Sequence, residues 1–207
     1  MEHNHVHSHH CECGQETKTE NLAELYNLYS KIDMENLECL NEAVENSVKS
    51  VFRPWDQRLD STKFVESDAD EELLFNIPFT GNVKLKGLII IGGEAGTHPS
   101  VVRLFKNRPH MTFDDAASQA DQELNLVEDF KGTVEYATKI VKFSSVYHLT
   151  LHFPKNYGSD TSKIQFIGLK GDWSEGHRHG VTLCTYEATP SMADHKDKVL
   201  ETTNLNI

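Results

Sequence analysis

Five carboxylates fall within seven residues: Glu66, Asp68, Asp70, Glu71 and Glu72. At that density carboxylates can hold a divalent cation, share acid–base work as a pair, or set up a negative field for a basic partner. An EF-hand calcium loop needs acidic or amide side chains at alternate positions and then a Gly. Ser67-Asp68-Ala69-Asp70-Glu71 misses the third ligand position and has no Gly. A catalytic pair needs two acids facing one substrate with pKa values pushed apart, and spacing supplies neither. What remains is a solvated run whose self-repulsion extends a loop and whose field suits a basic protein surface.

Other residues capable of chemistry are weaker candidates. His3, His5, His7, His9, His10, Cys11 and Cys13 crowd the start of the chain, and imidazole and thiolate are ligands that Zn, Ni and Cu favour. Cys11-x-Cys13 lacks the second, distant pair of a structural zinc finger, so the tract reads as a solvated tail that binds metal incidentally. His148 and His152 stand at helical metal-site spacing, but Tyr147, Leu149, Leu151 and Phe153 alternate with them. That period marks a strand, along which four residues span about 13 Å; the two histidines are expected on the polar face of a sheet. Gly176-His177-Arg178-His179-Gly180 reads as a turn, and Cys184 in "VTLCTYEA" as a core thiol. Gly92-Gly93-Glu94-Ala95-Gly96 lacks the Gly-Lys-Ser/Thr of a phosphate loop and is also expected to be a turn. No nucleophile elbow or dinucleotide fingerprint occurs. The expectation is a protein that is not an enzyme and takes no cofactor.

Composition narrows the partners. Net charge is −12, from 20 basic and 32 acidic side chains. Residues 1–80 hold 17 acids against 6 bases, and residues 81–207 hold 15 against 14, so the acidity is local. Phosphate backbones and anionic lipid surfaces are bound by clustered Lys and Arg, which are missing, so neither nucleic acid nor membrane is expected as a partner. No apolar run approaches the roughly 20 residues that cross a bilayer, and no charged-then-apolar leader opens the chain. Four cysteines, irregularly placed, do not make a secreted disulfide framework. The expected residence is the cytoplasm with thiols reduced, with the nucleus also open to it.

The elements that would position these side chains follow from periodicity. Asn21 with Glu24 can form a capping box for an amphipathic helix carrying Leu22, Leu25, Tyr26, Tyr29 and Ile32, and a second helical turn is expected from Asp33 with Leu37 and Leu40. After Pro54, "VKLKGLIIIG", "VVRLFKN", "VYHLTLHF", "SKIQFIGLKG" and "VTLCTYEA" read as strands between Gly, Pro, Asn and Asp. "FDDAASQADQE" suggests a helical turn opened by Thr112. Without helical crossovers the strands should be antiparallel, packed as a β-sandwich or jelly roll.

Three long blocks carry a more specific signal: "ECLNEAVENSVKSVFRPWDQRLDSTKFVESDADEELLFNIPFTGNVKLKGLIIIG", "VRLFKNRPHMTFDDA" and "FSSVYHLTLHFPKNYGSDTSKIQFIGLKGDW". Together they resemble the PITH domain, the proteasome-interacting thioredoxin module. The resemblance covers residues 20–192 and implies a galactose-binding-like jelly roll there; composition marks 1–19 as a His/Cys-rich disordered tail and 193–207 as a flexible tail. It also implies a binding module without catalysis, which in thioredoxin-like relatives attaches a redox domain to the proteasome regulatory particle. This chain has no Cys-x-x-Cys, so disulfide exchange is not carried over. The expected function is protein–protein interaction, proteasome-associated, with Glu66, Asp68, Asp70, Glu71 and Glu72 at the contact. The alternative is a jelly roll that holds a sugar or other small ligand in its end loops, with or without calcium, a reading whose warrant is fold analogy.

Overall fold

A run apolar at every position, as Leu88-Ile89-Ile90-Ile91 is, demands burial on both faces of a sheet. The computed structural model describes residues 25–176, and that run lies in its longest strand. In chain order the strands are β1 (Glu38–Leu40), β2 (Val65–Glu66), β3 (Leu73–Gly92), β4 (Val101–Lys106), β5 (Gln122–Asn125), β6 (Tyr136–Ala137), β7 (Val146–Phe153) and β8 (Lys163–Ser174). All their pairings are antiparallel. The tail from His3 to Cys13, the Asn21–Glu24 cap, His177, His179 and Cys184 lie outside the described residues.

β3 organises the sandwich because its two halves have different neighbours. Leu73–Pro78 pairs with β7 on one side, and within it Leu74–Asn76 pairs with β1 on the other. Asn82–Gly92 pairs with β8, and Gly87–Leu88 with β6. The strand thus belongs to two layers, β1-β3-β7-β4-β5 and β6-β3-β8-β2, which remain hydrogen-bonded as one connected sheet. Leu73, Phe75 and Ile77 from the first half share one apolar cluster with Val83, Leu85, Leu88 and Ile90 from the second. A register slip between Leu85 and Gly87 adds one residue to β3 against β8, so core-facing positions are odd before it and even after it.

The slip leaves Ile89 and Ile91 on the outer face, where they pack with Tyr26, Trp55 and Phe166. Each such buried side chain contributes about 2 kcal/mol relative to exposure. Trp55 stacks on Tyr26 at 4.9 Å between ring centroids, and the Arg58 guanidinium lies 4.3 Å from the Trp55 ring. Buried Arg53 fixes the covering segment by donating to the carbonyls of Ser50, Gln57, Arg58, Asp60 and Lys63. A buried guanidinium is tolerable only when its donors are satisfied in this way.

The sandwich matches the sequence expectation; the helical turn expected from Asp33 gives way to pairing, and of the helix expected from Asn21 only the part from Leu25 is described, with Leu25 helical. Leu28–Lys31 is a single 3-10 turn, and Ile32 bridges Phe79. From Asp33 the chain makes an Asx turn, with the Asp33 carboxylate accepting from the N–H groups of Glu35 and Asn36, and then enters β1. Both stretches lie beside β3, whose exposed edge offers more hydrogen bonds than a short helix. The turn at Thr112 does form: Phe113–Ala116 is helical, with a reciprocal capping box between Thr112 and Asp115. Among the described residues no helix is long and apolar enough to cross a membrane.

Candidate docking surface at the loop end of the sandwich

Antiparallel pairing brings four loops to one end of the sandwich: 66–72, 93–100, 126–134 and 154–162. They are tied to one another. Ser67 N–H donates to the Ser162 carbonyl at 2.9 Å, and Ser162 Oγ to the Glu71 carbonyl at 2.5 Å. Tyr157 N–H donates to the Gly96 carbonyl at 3.1 Å, and its hydroxyl to the Leu126 carbonyl at 2.5 Å.

The five acids of the first loop do not share one task. Glu66 accepts from Thr161 Oγ1 at 3.2 Å and lies 4.0 Å from Lys163 Nζ. Asp70 Oδ1 accepts from Asn41 Nδ2 at 2.8 Å and from Glu72 N–H at 3.0 Å. Glu72 turns inward, with Oε1 2.5 Å from His152 Nε2. Among the described residues the carboxylates of Asp68 and Glu71 have no side-chain partner. Asp68 is exposed and Glu71 half-exposed. Asn41 is the clamp: in left-handed backbone at φ 68°, it also donates to the Glu72 carbonyl and accepts from Ala69 N–H. The loop is held by hydrogen bonds from two sides, so the backbone that carries the acids is fixed.

His152 and His148 lie on the β7 face turned away from the core, as the alternation requires. That face is not open to water, because the 107–120 connection covers it with Met111 and Phe113. Burial lowers the His152 pKa and outweighs the opposing effect of Glu72. The ring is therefore neutral near pH 7 and positions Glu72. Burial lowers the His148 pKa as well, and the nearby His110 adds to it. Burial pushes the Cys39 thiol up, which makes it unreactive. Among the described residues no group of three or more His, Cys, Asp or Glu could hold a metal ion. Ala95 and Gly96 take left-handed backbone, so the glycine-rich segment is a turn.

The PITH domain model matches residues 18–190, and the chain belongs to that family. It is a non-enzymatic protein-interaction module. The chain is 58% identical over 205 residues to PITH domain-containing protein GA19395 of Drosophila pseudoobscura pseudoobscura, covering 97% of each chain. It is 54% identical over 197 residues to PITH domain-containing protein 1 of Homo sapiens, covering 93% of each. Among solved structures, the CBM32-1 and CBM32-2 domains of Clostridium perfringens ZmpB superpose with a TM-score of 0.47 at 13% identity, covering 73% of this chain and 38% of that one. A likeness that distant says nothing about ligands.

The acids are legible in the sequence, and their role as partners of distant residues is not. Asn41, Ser162 and His152 come from distant segments, and only Asn41, a residue tolerant of left-handed backbone before a strand-rich region, left a local trace.

Proposed function

We propose that the protein is a proteasome-associated adaptor of the cytoplasm and nucleus, and that it docks through its acidic loop on a basic surface of the regulatory particle. Family membership supports the proteasome half. The observation that carries the docking half is the pair Asp68 and Glu71, one exposed and one partly exposed and neither engaged by a side chain among the described residues, on a loop whose backbone is clamped by Asn41 and Ser162. Charges on a pre-set backbone steer association, and the loop itself loses less entropy on binding than a mobile one. Glu72 and Asp70 serve the loop's own geometry, and the contact charge is that of Asp68 and Glu71.

The test is capture of purified regulatory particle on the immobilised chain. Capture is expected to weaken between about 50 and 300 mM salt. It should also weaken in the Asp68→Asn, Glu71→Gln double variant at low salt. No capture by the native chain removes the proteasome partner, and capture indifferent to both salt and the double variant removes the acidic contact.

A further inference from the structure

The same loop end carries an apolar patch that the acidic reading does not use. Val127, Phe130 and Tyr157 leave 50%, 40% and 45% of their surface in water. They are neighbours: the rings of Phe130 and Tyr157 each lie 6.2 Å from that of His98 in edge contacts. The Tyr157 hydroxyl reaches the carbonyl of Leu126, the residue before Val127. His98 is fully buried, with Nδ1 2.7 Å from the Pro99 carbonyl, and forms a fixed pedestal under both rings. Single exposed apolar side chains are ordinary on a protein surface. A cluster of rings locked from below is the kind of feature that anchors an interface.

The patch runs directly into negative charge. Asp160 stands three residues beyond Tyr157, and it lines one shallow depression with Asp70 and Glu71, in which Lys155 is the single basic side chain. Glu128 is exposed between Val127 and Phe130, and Lys131 follows Phe130. Acids therefore outnumber bases around the rings. We infer that Val127, Phe130 and Tyr157, with the acidic rim of Glu71 and Asp160, form one composite site for a protein segment that carries Arg or Lys around a large apolar side chain. The apolar side chain packs on the two rings, and the cations meet the carboxylates. Aromatic faces also attract guanidinium and ammonium groups.

Charge complementarity selects this occupant over the nearer ones. Residues 1–24 hold five acids and one Lys, and residues 177–207 hold four acids against three bases, so neither end of the chain supplies a cationic segment. A second copy in a two-fold contact would set the acidic rim against itself. The inference rests on the proposed docking reading for its rim and adds an anchor to it.

The experiment is amide NMR on the full 15N-labelled chain, titrated with the pentapeptides Arg-Lys-Phe-Lys-Arg and Arg-Lys-Ser-Lys-Arg. The Phe peptide is expected to shift the amides of Val127, Phe130 and Tyr157 together with those of 68–71. Replacing its Phe, or making the chain Val127→Ser, Phe130→Ser, should weaken binding about tenfold, as loss of a central anchor does. Equal binding of both peptides with shifts confined to 68–71 overturns the anchor and leaves the acidic reading standing. No shift from either peptide overturns the composite site, and capture of regulatory particle then decides the proteasome reading separately. Concentration-dependent mass in sedimentation, with shifts at Phe130 on dilution, overturns it in favour of a second copy. Should the double Ser variant fold poorly, the two-peptide comparison on the native chain decides.

Discussion

Asp129 and Asp68 sit in loops at the same end of the sandwich, and their charges have opposite fates. Asp129 is 5% exposed. Its carboxylate accepts from the backbone N–H groups of Lys131, Gly132, Thr133 and Val134 and from the Thr133 hydroxyl. Burial alone would raise its pKa, but the four backbone donors outweigh burial and hold it below the usual carboxylate range. Among the described residues Asp68 has only its backbone N–H engaged, on the Asn41 carbonyl at 3.0 Å. The lesson is that an acid in the sequence is not yet a charge on the surface. One aspartate is an internal keystone, and the other is available to a partner.

Removing the keystone should have the largest effect. Asp129→Ala leaves several buried backbone donors without an acceptor and is expected to lower stability by about 3 kcal/mol, read from urea unfolding at pH 7. Acid offers a second route to the same contrast. A carboxyl with a depressed folded pKa contributes stability that is present above its unfolded value near 4 and is lost as pH falls through the folded value. The stability gap between the native chain and Asp129→Asn should therefore be full at pH 6 and shrink steadily below about pH 4. A gap that is flat down to pH 2.5 would show that Asp129 does not hold its loop by charge.

The clamp on the other loop comes next. Asn41→Gly keeps the left-handed backbone and deletes the side-chain bonds to Asp70, Ala69 and Glu72, at an expected cost of about 1–2 kcal/mol. Hydrogen exchange at Ala69 and Glu72 should quicken, while that of Thr133 and Val134 stays unchanged. Smallest of all is the effect of Asp68→Asn with Glu71→Gln, which should leave stability within about 0.5 kcal/mol of the native chain. A larger loss would mean these two acids are structural like Asp129, and the contrast between the loops would fail.

Much of the frame was legible in the sequence because it depends on local period and local chemistry. The alternation in Val146–Phe153 marks β7, the uniformly apolar Leu88–Ile91 marks a core strand, and Thr112 marks the start of a helical turn. Features set by partners far along the chain were hidden. Pro78 and Thr80-Gly81-Asn82 look like an end to a strand, yet β3 runs through them because β7, β8 and β1 supply pairing that local propensity does not reveal. The burial of His152 depends on Phe113, which no spacing around residue 152 announces. Asp129-Phe130-Lys131-Gly132 does carry a local turn signal, an aspartate three residues before a glycine with φ 73°, but nothing in the spacing shows four backbone donors closing on that carboxylate.

β3 gives its bend a mechanical meaning. Since the same twenty residues carry hydrogen bonds in both layers, the layers are joined by unbroken backbone as well as by apolar contact. A pull on the loop end passes from one layer to the other through covalent bonds. The two layers are then expected to come apart together, so that the fold yields in one step.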